Sequence, residues 1–94
     1  MSAANTAIGL LEVNGISAAM VGADAMLKAA VVDLVKVDRQ PGLLIVVIAG
    51  AASDVKAALE CGAVAADQHG RVSAVHLIAD AHPSLLTAFR QGKD

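Results

Sequence analysis

Residues 7–30 read AIGLLEVNGISAAMVGADAMLKAA, and the fold turns on how this stretch is read. Residues 7–13 form a short apolar run suited to a strand, and Asn14-Gly15 is a turn signal that ends it. An Ala-rich segment follows, predicted as a helix over residues 18–30 with Ser17 placed to cap its N-terminus. Met20, Ala23, Leu27 and Ala30 recur at three- and four-residue spacing, which predicts a stripe lying on a sheet. Asp24 and Lys28 stand four apart on another face, a favourable helical pair.

The elements on either side extend this pattern. Residues 32–39 are rich in β-branched side chains and read as a strand that Gln40-Pro41-Gly42 interrupts. Residues 43–49, LLIVVIA, are continuously apolar, as in a strand buried on both faces. So short a connection makes the two strands an antiparallel hairpin. Ser53 or a neighbour starts a second helix through Asp67, with Val55, Ala58, Leu59, Gly62 and Ala66 inward. His69-Gly70 turns the chain into a fourth strand over residues 72–78, and Pro83-Ser84 opens a final helix through Phe89. The order is βαββαβ: an α+β, ferredoxin-like four-stranded antiparallel sheet with helices on one face and a short C-terminal helix. Residues 1–6 are a polar lead-in, 7–91 the domain and 92–94 a tail.

The composition is unusual for a 94-residue chain: 56% of residues are hydrophobic, yet Phe89 is the one aromatic. The apolar mass is Ala, Val, Leu and Ile, which predicts uncovered hydrophobic surface on a single copy and hence a homo-oligomer. The uncharged run over residues 42–53 is well short of the roughly 20 residues that a spanning helix needs, so no membrane partner is expected. No secretory pattern is read, and cytoplasmic residence is the default. A net charge of −2 without a basic stripe makes nucleic acid a poor partner.

Convergent chemistry is also missing from the sequence. Neither GxGxxG nor a P-loop occurs, and no Ser stands beside a His and an acid. Cys61 has no CxxC partner and reads as a small buried hydrophobe. His69, His76 and His82 have no ligand spacing among them and read as unrelated surface or edge residues. Glu12, in an apolar strand, is expected at an exposed or inter-subunit face. No catalytic residue, metal or cofactor is assigned.

The ordered motifs resemble the bacterial microcompartment shell-protein domain over roughly residues 7–86. Ala7, Gly9, Glu12 and Gly15 match an opening A-x-G-x-I-E-x-x-G. Ala23, Asp24, Met26, Lys28, Ala29 and Ala30 match A-D-x-M-x-K-A-A. Val55, Lys56, Ala57, Ala58, Gly62, Ala63, Ala65 and Ala66 match the family's second helix. His76, Ile78 and His82 match three places of a closing H-x-I-P-R-P-H. Each motif alone is weak, and their order and near-constant spacing make the signal.

The resemblance implies a flat homo-hexamer that tiles into a sheet, with the β-hairpin loop lining a central pore for small polar metabolites. On it, Arg39, Gln40, Pro41 and Gly42 line the pore, while Lys28, Asp80 and His82 belong to the assembly edge. It further implies other shell paralogues and encapsulated enzymes as partners, and a place in the shell of a microcompartment in the cytoplasm. The chain departs from the family at three places. Its pore loop is Arg39-Gln40-Pro41-Gly42 where many members have K-I-G-S-G. Asp80 replaces an arginine, reversing a charge and removing a forked donor. Ala49-Gly50-Ala51 stands where relatives often read R-G-D, removing polar groups that cap the second helix or join subunits. The expected function is therefore a structural shell subunit, not an enzyme. The alternative is an ACT-like regulatory module of the same βαββαβ order, with Asn14-Gly15 and the first helix N-terminus binding a small ligand between subunits.

Overall fold

The computed structural model describes residues 6–91; the lead-in predicted at 1–6 falls, but for Thr6, outside them, as does the tail at 92–94. The elements are β1 (Ala7–Asn14), α1 (Ile16–Ala29), β2 (Val32–Gln40), β3 (Leu43–Gly50), α2 (Ala52–Asp67), β4 (Arg71–Ile78) and α3 (Pro83–Gln91). The four strands form one antiparallel sheet in the order β2-β3-β1-β4. The predicted α+β class and element order are those observed.

Strand alternation sorts the core into two layers. Ala7, Leu11 and Val13 of β1 and Leu44, Val46 and Ile48 of β3 point toward α1 and α2, where Val55, Ala58, Leu59 and Met26 complete the main core. Ile8 and Val47 point the other way, against Ala81, Leu86 and Phe89 at α3. The central strand β3 is thus covered on both faces, as its unbroken apolar run requires.

Local details differ from the sequence reading. Helix α1 begins at Ile16, with Gly15 (φ 106) at its N-cap and no side-chain cap, so Ser17 lies inside the first turn. Gly15 takes a backbone conformation that side-chain-bearing residues rarely adopt. Ala51 caps α2, also without a side-chain bond.

Of the predicted stripe on α1, Ala23 is buried and Ala30 packs against the core, but Met20 and Leu27 do not. Ala18, Ala19, Gly22, Ala23 and Met26 face inward, whereas Met20 is 64% exposed and Leu27 is exposed too. The cause is close packing between helices. A Cβ on Gly22 would lie 2.9 Å from Leu11 Cδ2 and 3.1 Å from Ala66 Cβ. Only the small-residue stripe lets α1 approach α2 and the sheet this closely, which turns the larger side chains outward. Cys61 is likewise exposed, not buried. The inward stripe of α2 runs through Val55, Ala58, Leu59, Gly62 and Ala66, and Cys61 falls on its flank.

Candidate functional site

The β2–β3 hairpin closes at the Gln40–Leu43 pair, so its loop is the two residues Pro41 and Gly42. Pro41 sets a negative φ and Gly42 has φ 70, the sequence and backbone pattern of a type II turn. Because Pro41 lacks an N–H, Gly42 carries the loop's one backbone donor. The four predicted pore residues therefore sit together at the tip, but their side chains divide. Gln40 lies two residues from Asp38 on the sheet face opposite α1, and its Nε2 donates to Asp38 Oδ2 at 2.9 Å. Arg39, between them, projects to the other face and borders the hollow beneath α1.

The assembly-edge residues lie at the opposite end of the sheet. Leu44 near the tip pairs with Val13 at the end of β1, while Ile78 pairs with Ile8 at its start. An eight-residue strand spans about 25 Å between these ends. Lys28, in the last turn of α1, donates to Asp24 Oδ2 at 2.9 Å, with both side chains mostly exposed. This hydrogen bond, and then the Asp24 charge, hold the Lys28 ammonium above its ordinary pKa. Asp80 is exposed in the turn after β4 and makes no ion pair among the described residues. Because β4 and α1 lie toward opposite edges of the sheet, Lys28 and Asp80 share an end without meeting.

His82 has a specific local task. Its Nδ1 accepts the backbone N–H of Ser84 at 3.1 Å. It thereby caps α3, whose first residue, Pro83, has no N–H to offer. The helix it caps packs Leu86 and Phe89 on the sheet, and Arg90 Nη2 reaches Asp33 Oδ2 of β2 at 3.8 Å.

Two features escaped the sequence reading. Glu12 is half-buried and meets His76 Nε2 at 3.4 Å across β1 and β4. His76 stands opposite Leu10 in the regular part of the β1–β4 ladder, so the contact is the diagonal one on the same sheet face, set by a pairing of strands far apart in sequence. The second feature is a pair of exposed apolar surfaces on opposite edges of the helical face. One, a hollow of about 410 Å³, is lined by Ile16, Met20, Leu27, Leu34 and Val37 between α1 and β2. The other, about 340 Å³, lies between α2 and β4 and is lined by Leu59, Ala63, Val75 and Leu77, with Lys56 and Glu60 at its rim. Among the described residues there is no cluster of metal-ligating side chains, and no helix is long and apolar enough to cross a membrane.

Residues 7–81 match the family model described as BMC domain. The chain belongs to the BMC domain family. This BMC domain is 44% identical over 77 residues to the bacterial microcompartment shell protein PduA of Citrobacter freundii, covering 81% of the chain and 83% of PduA. It is 38% identical over 87 residues to the shell protein EutM of Escherichia coli K12, covering 92% and 90%. It also superposes on a crystal structure of a microcompartment protein from Desulfitobacterium hafniense with TM-score 0.85 and 37% identity. That match covers 95% of this BMC domain, which spans about half (49%) of the solved chain. The ACT-like reading has the same element order, and the family match decides against it.

Proposed function

We propose that this BMC domain is a structural, non-catalytic shell subunit that closes head-to-tail into hexamers, with the β2–β3 tip of each copy at a central pore. The rings join through the end carrying Lys28, Asp80 and His82 into a sheet, together with other shell proteins, around enclosed enzymes. The observation that carries this reading is the pair of unlike apolar surfaces on opposite edges of one face. A cyclic ring needs two different, complementary patches on each subunit, one offered and one received. Uncovered apolar surface of this extent marks association sites. The hollow beside α1 and the seam between α2 and β4 meet both requirements. Enclosure of enzymes and passage of small polar metabolites through the tip follow as the subunit's work in a bacterial cell.

Native mass spectrometry followed by negative-stain imaging of the purified protein tests the proposal. Six-subunit particles with a central hole are the expected result. A stable dimer, melting at higher temperature when an amino acid is added, overturns it in favour of a ligand-binding module.

A further inference from the structure

We propose that Asp38 sets the polarity of the pore loop, making it a hydrogen-bond-accepting rim suited to cations and to hydroxyl- or ammonium-bearing solutes, and unfavourable to anions. This rests on the reading that the β2–β3 tip lines a central pore.

The inference begins with an atom assignment. An ionised Asp38 carboxylate can only accept, so the group of Gln40 facing it at 2.9 Å is the amide nitrogen. One amide hydrogen of Gln40 is thereby occupied within its own chain, and Oε1 is left free. A charge-assisted bond of this kind is stronger than a neutral one and fixes the side chain's orientation. Gln40 is exposed, and no other described residue bonds to its side chain.

The rest of the tip has the same bias. Pro41 contributes a carbonyl and no N–H, and Gly42 contributes one of each. Together with Gln40 Oε1 and the Asp38 carboxylate, acceptors outnumber donors. The nearest cation is Arg39, which branches from the opposite face of the strand, in register with Leu44, and borders both the hollow with Met20 and Leu27 and the space beside the tip with Gln40, Pro41 and Gly42. The Asp38 carboxylate is on the same face as Gln40 and bonds to it directly, so it is the charge that orients the rim's own polar group. In a six-fold ring the bias repeats six times at short range, where converging like dipoles and charges select the sign of a passing solute.

Hexamers whose ring and hole have first been verified by native mass and imaging are incorporated in a planar bilayer. The reversal potential is then read under a KCl gradient. Potassium is expected to permeate in preference to chloride. Asp38→Asn, which removes the charge and lets the Gln40 amide turn either way, is expected to abolish that preference, and Asp38→Glu to retain it. A native preference for chloride that Arg39→Gln abolishes overturns the inference, because Arg39 then governs the pore. An Asp38→Asn ring as cation-selective as the native one overturns it too. If no ring or hole is seen at the imaging step, the pore itself is wrong and this inference goes with it, before any current is recorded.

Discussion

Gly22 and Gly62 face one another where α1 crosses α2: a Cβ on Gly62 would lie 3.2 Å from the Gly22 carbonyl oxygen and would overlap the Met26 side chain. Met26 is fully buried. The two glycines therefore set the helix separation, and with it the tilt of α1 that turns Met20 and Leu27 outward. The close packing of the fold and the exposed apolar surface of α1 have one cause.

Gly62→Ala tests this. An alanine favours the helix locally, but overpacking a filled core costs about 1–3 kcal/mol. The melting temperature should fall by several degrees, at about 4–8 °C per kcal/mol for a domain of this size. An unchanged or raised melting temperature in a thermal scan would show that the interface has slack.

A charge in either apolar surface should separate assembly from folding. Met20 is 64% exposed and Val75 is exposed too, so Met20→Glu and Val75→Glu each leave the subunit's core untouched. Each is expected to yield a folded monomer by native mass, because a buried, unpaired carboxylate at a ring contact is strongly disfavoured. Mixing the two variants should yield dimers joined through the one uncharged contact but no closed rings, since any mixed ring also brings the two charged surfaces together at some contact. Hexamers that persist in both variants would remove these surfaces from the interface.

The strands and their order were legible because period-two alternation and the Pro-Gly break act locally. The buried face of α1 was legible only in part. Hydropathy favours Met20 and Leu27 as core residues, whereas close helix packing selects Ala18, Gly22 and Ala23 and leaves the large residues exposed. Burial between subunits leaves the same sequence signal as burial within one. Cys61 was misplaced for a related reason: in an Ala-rich helix the small residues on all sides blur the phase. Asp38 and Gln40 could have been paired from alternation alone, since i and i+2 share a strand face. Glu12 and His76 could not, because their meeting depends on the register between β1 and β4, which no connecting turn fixes.

The His82 cap predicts a conformational effect confined to α3. His82→Ala removes the acceptor for Ser84 N–H, and loss of an N-cap costs about 1 kcal/mol. His82→Asn replaces it with a side chain that caps well. Hydrogen exchange over residues 84–91 should quicken in the alanine variant and not in the asparagine variant, with β1 and β3 unaffected. Equal exchange in the two variants would mean that the imidazole bond does not hold the helix.

The Asp24–Lys28 pair should contribute evenly across the neutral range. The Lys28 pKa is raised in the folded state, so the pair's contribution is complete below the unfolded-state value and is lost only as pH rises through the higher folded value. Both side chains are mostly exposed, and water and salt screen such a pair to little net worth. Asp24→Asn should therefore change the melting temperature little, and by the same amount at mildly acid and mildly alkaline pH. A difference that grows with pH within that range would point to another titrating partner.

Asp80 offers the sharpest test of the rim. It is exposed, makes no ion pair among the described residues, and stands where the motif resemblance leads one to expect an arginine. Between rings, an arginine supplies planar bidentate donors to carbonyls and carboxylates, and an aspartate can only accept. In the proposed hexamer, six carboxylates on the rim of one ring would also repel those of the next, the more so at low ionic strength. Asp80→Arg should leave the hexamer's mass and melting temperature unchanged while promoting extended sheets in negative-stain images. The native protein should approach the variant's behaviour as salt screens its rim. Sheets of equal extent from both proteins at low salt would exclude Asp80 as the element that limits tiling.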